Sequence, residues 1–226
     1  MPTDAHCHLP SGPGRHFVCS PFGSADACSA LPPGSMVFYG AHPWHLDGFD
    51  PDGLRARLAA DPSAGVGETG LDRLRDRTVS ARMREVFEAQ LAVAAEFRRC
   101  VVLHGAKCWG EVVRACRPYA GRIPAFLFHG FSRSDGLLPD IAAMNGFVSV
   151  GPAVLNDHAV NYRGLVRKIP GDMLLVETDR TRENAAKTPP VEAVAAKVAE
   201  LRGVSADAAE TLLEANAGRF IMSNMV

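Results

Sequence analysis

Short apolar runs alternate with longer amphipathic segments along the whole chain, a rhythm that predicts strands and helices in turn and so a parallel sheet built from βαβ units. The runs are the segment entering His6, then His16 to Ser20, Met36 to Tyr39, Gly65 to Gly67, Cys100 to Leu103, Ala125 to Phe128, Phe147 to Val150 and Met173 to Val176. Eight parallel strands suit closure into a (β/α)8 TIM-type barrel. The clearest helix is expected from about Thr78 to Arg98, where Met83, Val86, Phe87, Leu91 and Ala94 recur at steps of three and four and form one apolar stripe. A second is expected after Thr188 as N-cap, with Pro189 at its first position, Val191, Val194, Val198 and Leu201 on one face, and a stop at Gly203. Ser205 then caps a last helix running toward Asn216. Between His8 and the second run lie only residues 9–15, with two glycines and two prolines, too few for a crossover helix. The expected barrel therefore lacks its first crossover helix, or His16 to Ser20 is not strand.

Composition narrows this picture only slightly. The chain has 226 residues, 47% hydrophobic and 22% charged, enough for a large core and ordinary for a folded protein, so one domain over 1–226 is expected. Lys and Arg number 24 against 25 Asp and Glu, a net charge of -1, so a polyanionic partner would have to be held by local contacts. The N-terminal residues show neither a basic nor an apolar signal region, and no apolar stretch approaches the ~18 residues of a membrane span, which leads to the expectation of a cytoplasmic protein with no membrane partner. Six cysteines, at 7, 19, 28, 100, 108 and 116, include no C-x-x-C pair and are expected to be free thiols.

Parallel barrels carry their chemistry at the carboxyl ends of the strands, so the residue that ends each apolar run is decisive. His6 and His8 end the first run, Glu68 comes after Gly65-Val66-Gly67, His104 after Val101-Val102-Leu103, His129 after Phe126-Leu127-Phe128, and Asp179 closes Leu174 to Thr178. Six groups of metal-ligand type thus lie on five strand ends. His6 and His8, two apart on a strand, project to one face and can grip one ion together while Cys7 faces the other way. Imidazole and carboxylate suit zinc, manganese, iron or magnesium, which lower the pKa of water toward ~7 and polarise a scissile bond. Taken singly, Glu68 also reads as a rim carboxylate and Asp179 as a surface partner of Arg180 or Arg182; the shared strand-end register favours ligands.

In order along the chain, Asp4-Ala5-His6-Cys7-His8, Gly40-Ala41-His42-Pro43, Gly67-Glu68-Thr69-Gly70-Leu71-Asp72, the helix with Phe87, Gln90 and Leu91, Leu103-His104, Phe128-His129-Gly130-Phe131-Ser132, Leu175-Val176-Glu177-Thr178-Asp179 and Asn216-Ala217-Gly218-Arg219-Phe220 resemble the TatD family of metal-dependent hydrolases. That resemblance implies an amidohydrolase-like barrel with two divalent ions (Zn, Mn or Mg). One would be held by His6, His8, Glu68 and Asp179 and the other by Glu68, His104 and His129, with Glu68 bridging and Asp179 taking the proton of the attacking water. It implies a deoxyribonuclease, of 3′-end exonuclease type, acting on a DNA end or on a smaller phosphoester. The chain departs from the family pattern at Ala106, where an arginine is common, with Lys107 beside it. It departs again at Arg180-Thr181 and at Arg133 after Ser132. His42, Trp44, His45, Lys107, Arg133 and Arg180 are the candidate substrate contacts, a mixture of cationic and aromatic groups suited to phosphate and base. Two alternatives stand beside the phosphodiesterase: the same centre hydrolysing an amide, ester or lactone, and a barrel that binds without turnover.

Overall fold

The structure, a computed structural model, describes residues 1–21, 31–132 and 134–225. All eight expected strands are present: β1 (Asp4–Cys7), β2 (His16–Pro21), β3 (Met36–Gly40), β4 (Gly65–Asp72), β5 (Val101–Ala106), β6 (Phe126–Phe128), β7 (Gly146–Val150) and β8 (Leu174–Val176). They form one sheet in sequence order, every neighbouring pair parallel. Among the described residues the α-helices are α1 (Pro51–Ala60), α2 (Ala81–Phe97), α3 (Trp109–Cys116), α4 (Leu138–Ala142), α5 (Val160–Lys168), α6 (Val191–Arg202) and α7 (Ala206–Ser223).

β1 and β2 pair directly although no helix connects them. Geometry permits this because β1 is short: four residues rise about 13 Å, and seven extended residues reach roughly 23 Å, so residues 9–15 can return the chain to the start of the sheet. The ring then closes between its first and last strands. Asp179 N–H donates to the His6 carbonyl at 3.0 Å, and the His8 and Leu9 N–H groups both donate to the Arg180 carbonyl at 2.9 Å. Buried Asp4 accepts from Thr178 N–H at 2.9 Å and from its hydroxyl at 2.6 Å.

Alternation along the strands divides the core into two. One cluster, including Ala5, Phe17, Phe38, Val102, Leu127, Phe147 and Leu175, fills the ring; the other, including Val66, Leu103, Phe128 and Val176, meets the helices. Phe220 of α7 joins the first, 5.4 Å from the Phe17 ring and 5.5 Å from Phe147, so it stops the end where strands begin. At that end Asn224 accepts from Cys100 N–H at 2.7 Å and donates to the Ser63 carbonyl at 2.9 Å.

Ser80 caps α2 by accepting from Met83 N–H at 3.1 Å, and Ser205 caps α7, which continues beyond Asn216 to Ser223. α6 begins one residue pair later than its sequence suggests: Pro190, not Thr188, is the N-cap. The Thr188 hydroxyl is committed to Asn184, 2.8 Å from its side-chain oxygen and 3.0 Å from its carbonyl. Gly203 ends α6 in the left-handed conformation, as expected. Cys7, Cys19, Cys100, Cys108 and Cys116 are free and buried; Cys28 lies outside the described residues. Among the described residues no helix is long and apolar enough to cross a membrane.

Replacing Asn224 by Ala leaves a buried N–H and a carbonyl unpaired at the end of the barrel remote from the strand tips. Urea denaturation is expected to show a loss of about 2–4 kcal/mol; an unchanged midpoint would show that water replaces the side chain.

Candidate metal centre

β4 is the strand whose local structure matters most. Its pairing with β5 is irregular between Val66 and Thr69, and the irregularity changes which face each residue presents. Val66 therefore packs outward under the helices, while Glu68 turns into the mouth. Gly67 and Gly70, with φ of 152° and 151°, let β4 approach β5 closely: a Cβ at Gly70 would lie 2.0 Å from the His104 carbonyl oxygen.

Glu68 is 4% exposed and its two oxygens face two groups of histidines. Oε2 lies 3.1 Å from His8 Nε2 and 3.4 Å from His6 Nε2. Oε1 lies 2.6 Å from His104 Nδ1, 2.7 Å from His129 Nε2 and 3.5 Å from His42 Nε2. Asp179 Oδ1 stands 3.5 Å from His6 and 4.0 Å from His8 on the Oε2 side. The six candidate ligands thus converge, with His42 as a further neighbour. Donor atoms of His6, Glu68 and His129, of His6, His8 and Asp179, and of His42, Glu68 and His104 each lie within 4.8 Å of one another. His6 Nε2 is buried without a hydrogen-bond partner and aims between the two carboxylates. An orphaned imidazole nitrogen among carboxylate oxygens fits a divalent cation of the zinc or manganese kind.

Hydrogen bonds on the far side of the rings decide which nitrogen each histidine offers. His8 Nδ1 donates to the Cys19 carbonyl at 3.0 Å, and His104 Nε2 donates to Asp72 Oδ2 at 2.9 Å, so His8 Nε2 and His104 Nδ1 face Glu68. His129 Nδ1 sits 3.5 Å from Glu177, itself held by the Ser149 hydroxyl, and His6 Nδ1 lies 3.5 Å from Cys19 Sγ. His42 is oriented the other way. Its Nδ1 accepts from Trp44 N–H at 3.1 Å, so the proton of the neutral ring is on Nε2 and points at the centre. Gln90 of α2 holds that loop by pairing with both backbone groups of Ala41 and donating to Thr69 at 2.6 Å.

Burial opposes charge on every group, yet mutual pairing prevails at most of them. Glu68 is pushed up by burial, but the charges of His129 and His6 and hydrogen bonds from His104 and His129 hold it well below the usual carboxylate range. His129 is lowered by burial and by His6, but Glu68 and Glu177 raise it to about 9. His104 is likewise raised, its burial outweighed by Asp72 and Glu68. His42 goes the other way, to about 4, because burial and the neighbouring histidines exceed the attraction of Glu68. Asp179 differs from Glu68 in access: its side chain is 51% exposed. Its φ of 48° is uncommon for a non-glycine residue and is held by its N–H bond to His6 and by Asn184 donating to its carbonyl at 3.0 Å.

The candidate substrate contacts scatter more. Trp44, 46% exposed, meets the His42 ring edge-on at 5.0 Å, and exposed His45 lies 6.2 Å from His42. Lys107 is exposed on the wall of a groove of about 1330 Å³ that also includes His104, His129 and Asp179. Arg180 turns away from the mouth, its guanidinium donating to the Leu9 and Pro10 carbonyls at 3.4 and 3.3 Å, because the unbridged link after β1 offers free acceptors there. Arg133 lies outside the described residues. Asp72, Glu177 and Gln90 sit within the motifs that pointed to the centre, yet sequence alone assigns them no task; a carboxylate placed beside a candidate ligand histidine carries no spacing signature of its own.

Residues 24–222 match the family model described as TatD related DNase. The chain is 29% identical over 140 residues, 62% of its own length, to the 3′-5′ ssDNA/RNA exonuclease TatD of Edwardsiella piscicida, and the match spans about half of that protein, 53%. It is 26% identical over 201 residues to the uncharacterized metal-dependent hydrolase YabD of Bacillus subtilis (strain 168), covering 82% of this chain and 78% of that one. Its fold is similar to that of YJJV, a TATD homolog from Escherichia coli K12, with a TM-score of 0.82, 22% identity and 96% of each chain covered.

With a chelator present, the folded His129 value of about 9 lies above the ordinary 6.5, so folding takes up a proton between them. That stabilisation is complete below pH 6.5 and lost as pH rises through 9. The thermal midpoint of chelated protein should therefore fall between pH 7 and 9, and added zinc should abolish the fall because a cation replaces the proton. A chelated midpoint that rises over this range would contradict the assignment.

Proposed function

The chain belongs to the TatD-related DNase family, and from that membership we propose that it is a divalent-metal-dependent phosphodiesterase that removes nucleotides from a single-stranded end. The observation that carries this reading is the division of Glu68, one oxygen toward His6 and His8 and the other toward His104 and His129. His6, His8, Asp179 and Glu68 Oε2 would hold one ion; His104, His129 and Glu68 Oε1 would hold the second. Cations there supply an acidified water and neutralise charge on a phosphoryl group.

The protein's own groups do the rest. Asp179, the half-exposed carboxylate, accepts the proton of the attacking water; its depressed pKa keeps it ionised, since His6 outweighs its desolvation. Neutral His42 offers Nε2–H to an oxygen of the substrate phosphate, a donor that adds no charge repulsion to the cations beside it. Asp72 holds the His104 ring in the tautomer that leaves a lone pair for metal, and the Glu177 carboxylate, 3.5 Å from His129 Nδ1, favours a proton on that nitrogen. Exposed Trp44, braced against His42, provides a face for a base, a contact of roughly 1–3 kcal/mol.

The test is to chelate the protein and restore manganese, magnesium, zinc or nickel, assaying an end-labelled single strand, its duplex, bis(p-nitrophenyl) phosphate and a carboxylic ester. Hydrolysis of the single strand from one end is expected; cleavage of the ester alone would instead favour a carbonyl hydrolase, and none at all a binding barrel. Glu68→Gln should reduce kcat more than His129→Ala and lower bound metal measured by elemental analysis, because it removes a charge shared by both sites. Full metal content and turnover in Glu68→Gln would refute the shared role.

A further inference from the structure

Two grooves meet at Asp179, Gly130 and Ser132, and their charges differ sharply. The larger, on the β4, β5 and α3 side, bears Arg73, Arg84, Lys107 and Arg114, with Glu111 the one acidic residue on its wall apart from Asp179. The smaller, about 580 Å³, bears Lys187 with Glu177 and is walled by Pro152, Tyr162 and Pro189. Volumes of this smaller size suit one small organic group, whereas the larger exceeds that range.

The larger groove is organised as well as cationic. Glu111, on α3, pairs with Arg73 just beyond β4 and with Arg84 of α2 at 2.6 Å, tying three elements together. Its carboxyl is lowered by Arg84, Arg73 and Arg114 against the effect of burial, which places Arg114 within electrostatic reach of the same cluster. One carboxylate shared between the guanidiniums of Arg73 and Arg84 leaves donors unspent, Arg114 lines the same wall, and Arg73 Nε is buried with no hydrogen-bond partner. Guanidiniums held by a common brace lose less rotamer freedom on meeting a phosphate than free ones do, and their fork matches phosphate oxygens.

We propose that Arg73 and Arg84, braced on Glu111, together with Arg114 and Lys107 on the same wall, form a phosphate track for the body of a nucleic-acid strand, whose terminal nucleoside then occupies the smaller groove across the centre. This rests on the phosphodiesterase reading and adds to it a direction of binding. The chain as a whole carries a charge of -1, so the track is a local concentration and not a reflection of overall basicity.

Two measurements separate this inference from that reading. The first is fluorescence anisotropy of a labelled single-stranded hexamer with the chelated protein, which needs no turnover. Arg84→Ala/Arg114→Ala should weaken binding about tenfold and make the salt dependence shallower by about 1.4, roughly 0.7 for each phosphate contact removed. Arg117→Ala/Arg122→Ala, which removes two charges from the segment before β6 at the opposite end of the barrel, should leave both unchanged. The second is steady-state hydrolysis by the metal-restored protein: the Arg84/Arg114 variant should show a raised KM for the hexamer, an unchanged kcat, and unchanged hydrolysis of bis(p-nitrophenyl) phosphate. Arginine-dependent binding without hydrolysis under any metal would remove the nuclease reading and leave the track standing. Hydrolysis of the hexamer with no effect of the double variant on either KM or salt slope would overturn the track alone.

Discussion

A carboxylate buried to 4% exposure has to be neutralised, and Glu68 is the charge around which this barrel is arranged. Four imidazoles beyond its strand supply the compensation at 2.6 to 3.4 Å, and a fifth approaches to 3.5 Å. Those imidazoles would repel one another if all were charged, so each requires a partner on its other nitrogen or enough burial to stay neutral. Asp72, Cys19 and the Trp44 amide are such partners, and the Glu177 carboxylate stands 3.5 Å from the far nitrogen of His129. The polar residues beneath the mouth are therefore successive answers to one electrostatic constraint, and the glycines of β4 are the steric condition for placing Glu68 there.

Much of this was legible in the sequence, for reasons that differ from element to element. β6 is an uninterrupted apolar run and β7 is broken only by Ser149, and buried parallel strands leave that trace directly. The short link after His8 was legible by counting, since seven residues cannot make a helical crossover, and the structure shows how a four-residue strand tolerates it. His104, His129 and Asp179 were recognisable because position at a strand's carboxyl end is itself a signal. The irregularity of β4 was not, because simple alternation puts Val66 and Glu68 on one face, whereas they lie on opposite ones.

The candidate substrate contacts were least legible. Charge and nearness in sequence to the candidate ligands single out Lys107, which lines the groove, but also Arg180, which the fold uses to fasten the link after β1. Arg73, Arg84 and Arg114 come from three separate stretches of chain and line one wall, where Glu111 joins the first two. No pattern along the chain announces a cluster assembled in that way. Thr188 has the sequence context of a helix cap without being one for a related reason: a hydroxyl has several local partners, and Asn184 is nearer.

The closure of the ring between β1 and β8 bears on when the candidate centre is assembled during folding. His6 and His8 enter from the first strand and Asp179 from the last, and the Asp4 to Thr178 contact that fastens this seam joins residues 174 apart. Bringing such distant segments together costs about 4–5 kcal/mol of chain entropy, and contacts of high sequence separation are slow to form. Glu68, His104 and His129 can assemble on adjacent strands before that seam joins, but the other half of the centre cannot. A nascent or partly unfolded chain is thereby kept from bringing all six candidate ligands together, and the full set meets only when the last strand joins.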